Sequence, residues 1–161
     1  GIKKYRVPWE TVGLRRPLVR NRLGLPAVAL VGSLAFGTAY AATVSALGLD
    51  ALQPEELPAD LLGQGVTRVL NTVVILFWGP FTEEIFFRGF LFAALIAPFG
   101  AVRAAVISSA VFALAHVSIA TMPPIFVTGL LMSWLYLKGR SVWLPFSAHM
   151  AQNLIALSVF L

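Results

Sequence analysis

The chain has 161 residues, of which 58% are hydrophobic and only 12% charged, and its mean hydropathy is +0.84. That balance excludes an ordinary soluble domain and points to an integral membrane protein. The absence of cysteine excludes disulfide frameworks, thiolate metal sites and a cysteine nucleophile, and the net charge of +5 is too localised for a nucleic-acid groove.

Most of that excess lies at the start. Lys3, Lys4, Arg6, Arg15, Arg16, Arg20 and Arg22 stand against the single acid Glu10. Residues 1–24 therefore read as a basic interfacial segment, held at the cytoplasmic face by the positive-inside bias and anionic headgroups. Residues 25–161 read as one transmembrane helical domain. Its first span, Leu25–Leu49, carries no charge and many small residues, among them Gly32, Ser33, Gly37 and Ala41, which let helices approach closely in lipid. Asp50–Asp60 holds two prolines and four acids and forms a polar loop on the opposite side.

From Leu61 to Pro98 the chain is apolar again, and one kinked crossing keeps Arg103, Lys138 and Arg140 on the same side as the basic N-terminus. Three further spans follow, Val102–Val117, Pro124–Leu137 and Val142–Leu161, with a Met122-Pro123-Pro124 turn on the far side. The expectation is an all-α polytopic bundle with about five crossings and the N-terminus in the cytoplasm.

The second span contains Glu83, Glu84 and Arg88 inside FTEEIFFRGFLF. Each charge costs about 2.5 to 3.5 kcal/mol on insertion scales, so three in six residues need compensation. Glu84 and Arg88, four apart, share a helix face in the favourable order, whereas Glu83 is turned about 140° from Arg88. Glu84 and Arg88 can neutralise each other and leave Glu83 as a separate carboxylate. The bland alternative is a structural ion-pair network, or a cluster wetted at headgroup level.

The two histidines weigh against that alternative. His116 and His149 both fall in apolar spans, and Asn153 lies four residues after His149 on the same face. A carboxylate beside imidazole and amide groups has the parts for hydrolysis, a proton acceptor for water and donors for an oxyanion. Glu83, His116 and His149 would also suit a divalent metal such as zinc with an open fourth position. No Gly-x-Ser-x-Gly and no His-Glu-x-x-His occurs.

EEIFFR (Glu83 to Arg88), FALAH (Phe112 to His116) and HMAQN (His149 to Asn153) follow in order, each on its own span. In this the chain resembles the CPBP intramembrane proteases, also called the ABI family, which includes CAAX prenyl protease 2-like and lysostaphin resistance protein A-like members. The resemblance covers about residues 66–161. It implies a membrane endopeptidase acting on a membrane-associated or prenylated CAAX-type substrate, with its active site inside the bilayer and open to the cytoplasmic side. Glu83 would activate water with help from His116, His149 and Asn153 would stabilise the oxyanion, and Glu84 and Arg88 would support the site. The resemblance leaves open a metal-dependent or a metal-free glutamate mechanism. A compact member of this kind is expected in a prokaryotic inner membrane.

The chain is shorter than many relatives and stops within the span of His149 and Asn153, without the closing helix they often have. A truncated chain, a minimal member or a partner complex that supplies that wall would each fit. The alternative function is accordingly a non-catalytic subunit that keeps the protease fold and binds other membrane proteins. A proton or ion carrier ranks lower, since no inverted repeat is present.

Overall fold

In the computed structural model, residues 8–19, 23–54, 58 and 60–158 are described. Parts of the basic N-terminal segment, including Lys3, Lys4, Arg6, Arg20 and Arg22, lie outside the described residues. Among those described, the fold is all-helical.

Helix α1 is Gly24–Ala46. Helix α2 is a 50-residue run, Gly65–Leu114. These two are long and apolar enough to cross a membrane. Helices α3, Met122–Gly139, and α4, Trp143–Leu157, complete the bundle.

Helix α2 is not straight. Pro98 removes one backbone donor, and Gly100 then adopts φ 77 and ψ 162, a conformation open almost solely to glycine. The chain reverses there, so residues 65–99 and 101–114 form two antiparallel limbs. Their contact is direct: Ser108 Oγ donates to the Phe87 carbonyl at 3.0 Å, and the Phe87 and Phe112 rings meet edge to face at 4.9 Å. Two stretches of the first limb, Val74–Trp78 and Ile85–Phe92, have π-type hydrogen bonding, which commonly accompanies functional sites.

Helix α3 packs against the second limb through a seam of small residues. A Cβ on Gly129 would stand 2.8 Å from the Ser109 Cβ, closer than carbon atoms pack. Gly129 and Ser133 stand four apart on α3, the small-residue spacing that lets helices approach closely in lipid. Gly129→Ala is expected to cost about 1–3 kcal/mol through overpacking, read as a lower Tm in detergent against wild type.

Helix α1 covers α3 and α4, burying Ala29 with Met132, Leu135, Leu144 and Ala148. Its small-residue stripe is only partly a packing seam. Gly32 meets Leu131, but nothing lies within 4 Å of a Cβ on Gly37, which borders an open groove.

At the opposite end from the α1–α2 loop, residues 8–19 fasten onto the turn between α3 and α4. Leu18 N–H donates to Gly139 O, and Val142 N–H donates to Gly13 O, each at 3.0 Å. Arg15 Nε donates to Arg140 O at 2.7 Å. The described part of the basic segment is thus bonded to the bundle.

Two span limits differ from expectation. The second limb ends at Leu114, so His116 sits in a turn two residues beyond the helix. Helix α3 already starts at Met122, because Pro123 and Pro124 fit the first helical turn, where a missing N–H costs nothing.

Candidate active site

Glu84 and Arg88 emerge one turn apart on the first limb, and both side chains have 0% exposure. Arg88 Nη1 donates to Glu84 Oε1 at 3.0 Å, and Arg88 Nη2 donates to the Gly129 carbonyl of α3 at 3.2 Å. The guanidinium also lies over the Phe112 ring, 4.3 Å from its centroid. The i, i+4 pairing read from the sequence is present, and Arg88 also ties both limbs of α2 to α3.

Helix α4 brings His149 onto the same carboxylate. His149 Nδ1 is 2.9 Å from Glu84 Oε1, which can only accept, so Nδ1 carries a hydrogen. Orienting an imidazole through the nitrogen opposite the working one is a common device. His149 Nε2 then faces Glu83 Oε2 at 3.8 Å, too far for a hydrogen bond. Glu83 Oε2 is itself buried and has no hydrogen-bond partner among the described residues. The side chain as a whole is 36% exposed. One glutamate is locked in place, and its neighbour keeps an unused oxygen beside an oriented imidazole.

His116 and Asn153 stand nearby without joining this ion-pair chain. Both line a cavity of about 210 Å³ together with Phe112, Ile125, Thr128, His149 and Gln152. His116 Nδ1 is 2.8 Å from the carbonyl of Phe112, and donation to that oxygen leaves Nε2 as an acceptor. The next residue, Val117, has φ 57, a costly conformation for a β-branched side chain in this turn. Asn153 Nδ2 donates to the Ile75 carbonyl at 2.8 Å, within the first π stretch. The wider π turn shifts the backbone hydrogen-bond pattern and offers that carbonyl to a side chain.

The hypothetical metal triad of Glu83, His116 and His149 does not assemble. Among the described residues no three His, Asp or Glu side chains form a group able to hold an ion. The bonds from His149 Nδ1 to Glu84 and from His116 Nδ1 to its own backbone leave the Nε2 atom of each ring free.

Other parts of the site had no signal in the sequence. Ser33 of α1 donates to Gln152 Oε1 at 3.0 Å and lies 2.7 Å from Thr128 Oγ1. With its one hydrogen used on Gln152, Ser33 must accept from Thr128. These three residues tie α1, α3 and α4 together at the cavity wall. No spacing rule links positions this far apart.

The model of the family described as "Type II CAAX prenyl endopeptidase Rce1-like" matches residues 65–155, more than half of the chain. A stretch of 75 residues is 32% identical to the Bacillus subtilis (strain 168) protein named "Putative membrane peptidase YdiL", covering 47% of this chain and 31% of that protein. The chain thus spans about a third of the length of the curated relative it matches. No solved structure matches it. The matched stretch contains both limbs of α2, all of α3 and the part of α4 that carries His149 and Asn153. The chain belongs to the type II CAAX prenyl endopeptidase Rce1-like family.

Proposed function

We propose that the chain is an intramembrane endopeptidase that hydrolyses a peptide bond of a membrane-associated substrate, the prenylated CAAX type among them, using water activated by Glu83. The observation that carries this reading is the buried, unpartnered Glu83 Oε2 at 3.8 Å from His149 Nε2, with Glu84 holding the far side of the same imidazole.

In the proposed reaction Glu83 takes a proton from that water as its oxygen bonds to the scissile carbonyl carbon. The carbonyl π electrons move onto oxygen and form an oxyanion. His149, protonated at both nitrogens, donates to it from Nε2 while Nδ1–H stays on Glu84, and the oxyanion and the Glu84 carboxylate together offset the charges of His149 and Arg88. Asn153, braced on Ile75 by one amide hydrogen, offers the other. His116 accepts from the water at Nε2 and steers its lone pair. When the tetrahedral species collapses, the C–N bond breaks and the proton on Glu83 passes to the leaving amine. No step needs a metal.

The bundle would cross the membrane five times, with α1, the two limbs of α2, α3 and α4 as the crossings. At 1.5 Å per residue α3 is about 27 Å long, close to a hydrocarbon core of roughly 30 Å. The second limb and α4 are shorter and would recruit their flanking residues.

The roles separate kinetically. Asn153→Ala is expected to lower kcat by about 10²–10³-fold with little change in KM, as loss of an oxyanion donor does. The check is cleavage of a membrane-anchored peptide in detergent or proteoliposomes. A rise in KM alone would assign Asn153 to substrate binding instead.

A further inference from the structure

Tying three helices together accounts for only half of the Gln152 side chain. Ser33 Oγ donates to Gln152 Oε1 at 3.0 Å and lies 2.7 Å from Thr128 Oγ1, and these bonds use the amide oxygen alone. Gln152 Nε2 carries two hydrogens and has no hydrogen-bond partner among the described residues. Interhelical bonding needs only the oxygen. The other end of the amide adds two donors to an apolar bundle, where unsatisfied polar groups are costly.

Those donors stand at a particular place. Gln152 follows His149 by three residues on α4 and immediately precedes Asn153, so the three project from one side of the helix. Gln152 lines the cavity of about 210 Å³ together with His116, His149 and Asn153. It also lines a largely apolar groove of about 520 Å³ that runs along α1. Cavity and groove share Ile125, Thr128 and Gln152, which puts the amide at the junction between the polar site and the apolar channel.

Two N–H groups aimed by an anchored oxygen call for an acceptor. Neither lining contains a lysine or an arginine, so no fixed cation is at hand for a phosphate or a free carboxylate. The matching group is a neutral carbonyl oxygen. A peptide main chain offers one at every residue.

We propose that Gln152 is a substrate-binding residue whose Nε2 donates to the main-chain carbonyl beside the scissile bond, and that Ser33 is the positioning residue that aims it through Oε1. The inference rests on the protease reading and adds a contact to it: His149 and Asn153 serve the reacting carbonyl, and Gln152 holds its neighbour. The side chain next to the held carbonyl then reaches the groove, where Leu34, Gly37, Ala41 and Ala156 favour an apolar group. Ser33 lies on α1, outside the matched residues 65–155, so a helix beyond the family match takes part in holding substrate.

The test measures binding of a dye-labelled, farnesylated CAAX-type peptide by fluorescence anisotropy in detergent, with all variants made in the Glu83→Gln background. Gln152→Met keeps the length of the side chain without its donors and is expected to raise Kd about 5–10-fold. Gln152→Glu keeps an acceptor for Ser33 but has no hydrogen to give, and should bind as weakly. Ser33→Ala should raise Kd about 2–3-fold, and combined with Gln152→Met it should add nothing, because Ser33 acts through Gln152. An alkene isostere in place of the amide beside the scissile bond should weaken binding when Gln152 is present and make no further difference in Gln152→Met. A glutamine that only ties helices would change Tm and leave that pairing unmoved. Unchanged Kd in Gln152→Met, retained affinity in Gln152→Glu, an isostere penalty that persists in Gln152→Met, or no binding of the peptide overturns the inference. Binding needs no turnover: if wild type fails to cleave the peptide, the protease reading falls while the Kd comparison still decides the role of Gln152.

Discussion

The Glu83→Gln variant is expected to fold like wild type and to lose about 10²–10⁴-fold in kcat, the range for a positioned general base. That equals about 3–5 kcal/mol of transition-state stabilisation at 1.36 kcal/mol per decade. Glutamine keeps the shape of the side chain but cannot take a proton from water. Glu83 Oε2 has no hydrogen-bond partner among the described residues, so the exchange breaks no bond that holds the bundle. Substrate affinity should change little, because the carboxylate is not part of the groove. Cleavage rates of a membrane-anchored peptide, measured beside thermal unfolding, check both halves. Retained kcat with an unchanged Tm would remove Glu83 from the chemistry.

Glu84 should behave in the opposite way. Glu84→Ala removes the acceptor shared by Arg88 and His149 and leaves the guanidinium, at 0% exposure, with the Gly129 carbonyl and the Phe112 face as its contacts. Stranding one partner of a buried pair costs about 3–5 kcal/mol, so a large fall in Tm is expected along with lost activity. Glu84→Ala combined with Arg88→Met removes both charges and should recover much of that stability. Activity should not return, since His149 Nδ1 still lacks its acceptor. If the double variant regains cleavage as well as Tm, Glu84 acts only as a counterion, and the proposed orientation of His149 is wrong.

The contrast between the two adjacent glutamates shows how far local geometry reaches. Helical spacing alone pairs Glu84 with Arg88 and turns Glu83 away, and the 3.0 Å bond between Arg88 and Glu84 agrees, even though Arg88 lies in a π-type stretch. The same spacing cannot tell that Glu84 also receives His149, 65 residues later. It gives no notice of Ser33, Thr128 and Gln152 either, because serine, threonine and glutamine carry no pattern when they meet across three helices. The apolar run around His116 places it inside a span. The run continues to Val117, but the helix stops at Leu114, since hydropathy records burial in lipid and says nothing about where backbone hydrogen bonding ends.

Composition and periodicity by themselves determined an all-helical, membrane-type chain, a break between spans after Pro98 and the pairing of Glu84 with Arg88. Each follows from interactions within a few residues or from the solvent the chain must match. Tertiary structure alone decided that Glu84 holds His149, that Glu83 keeps an unused oxygen, and that His116 and Asn153 share a cavity wall with His149. Those properties depend on where separate helices meet, and no local spacing encodes the distance between side chains that only packing brings together.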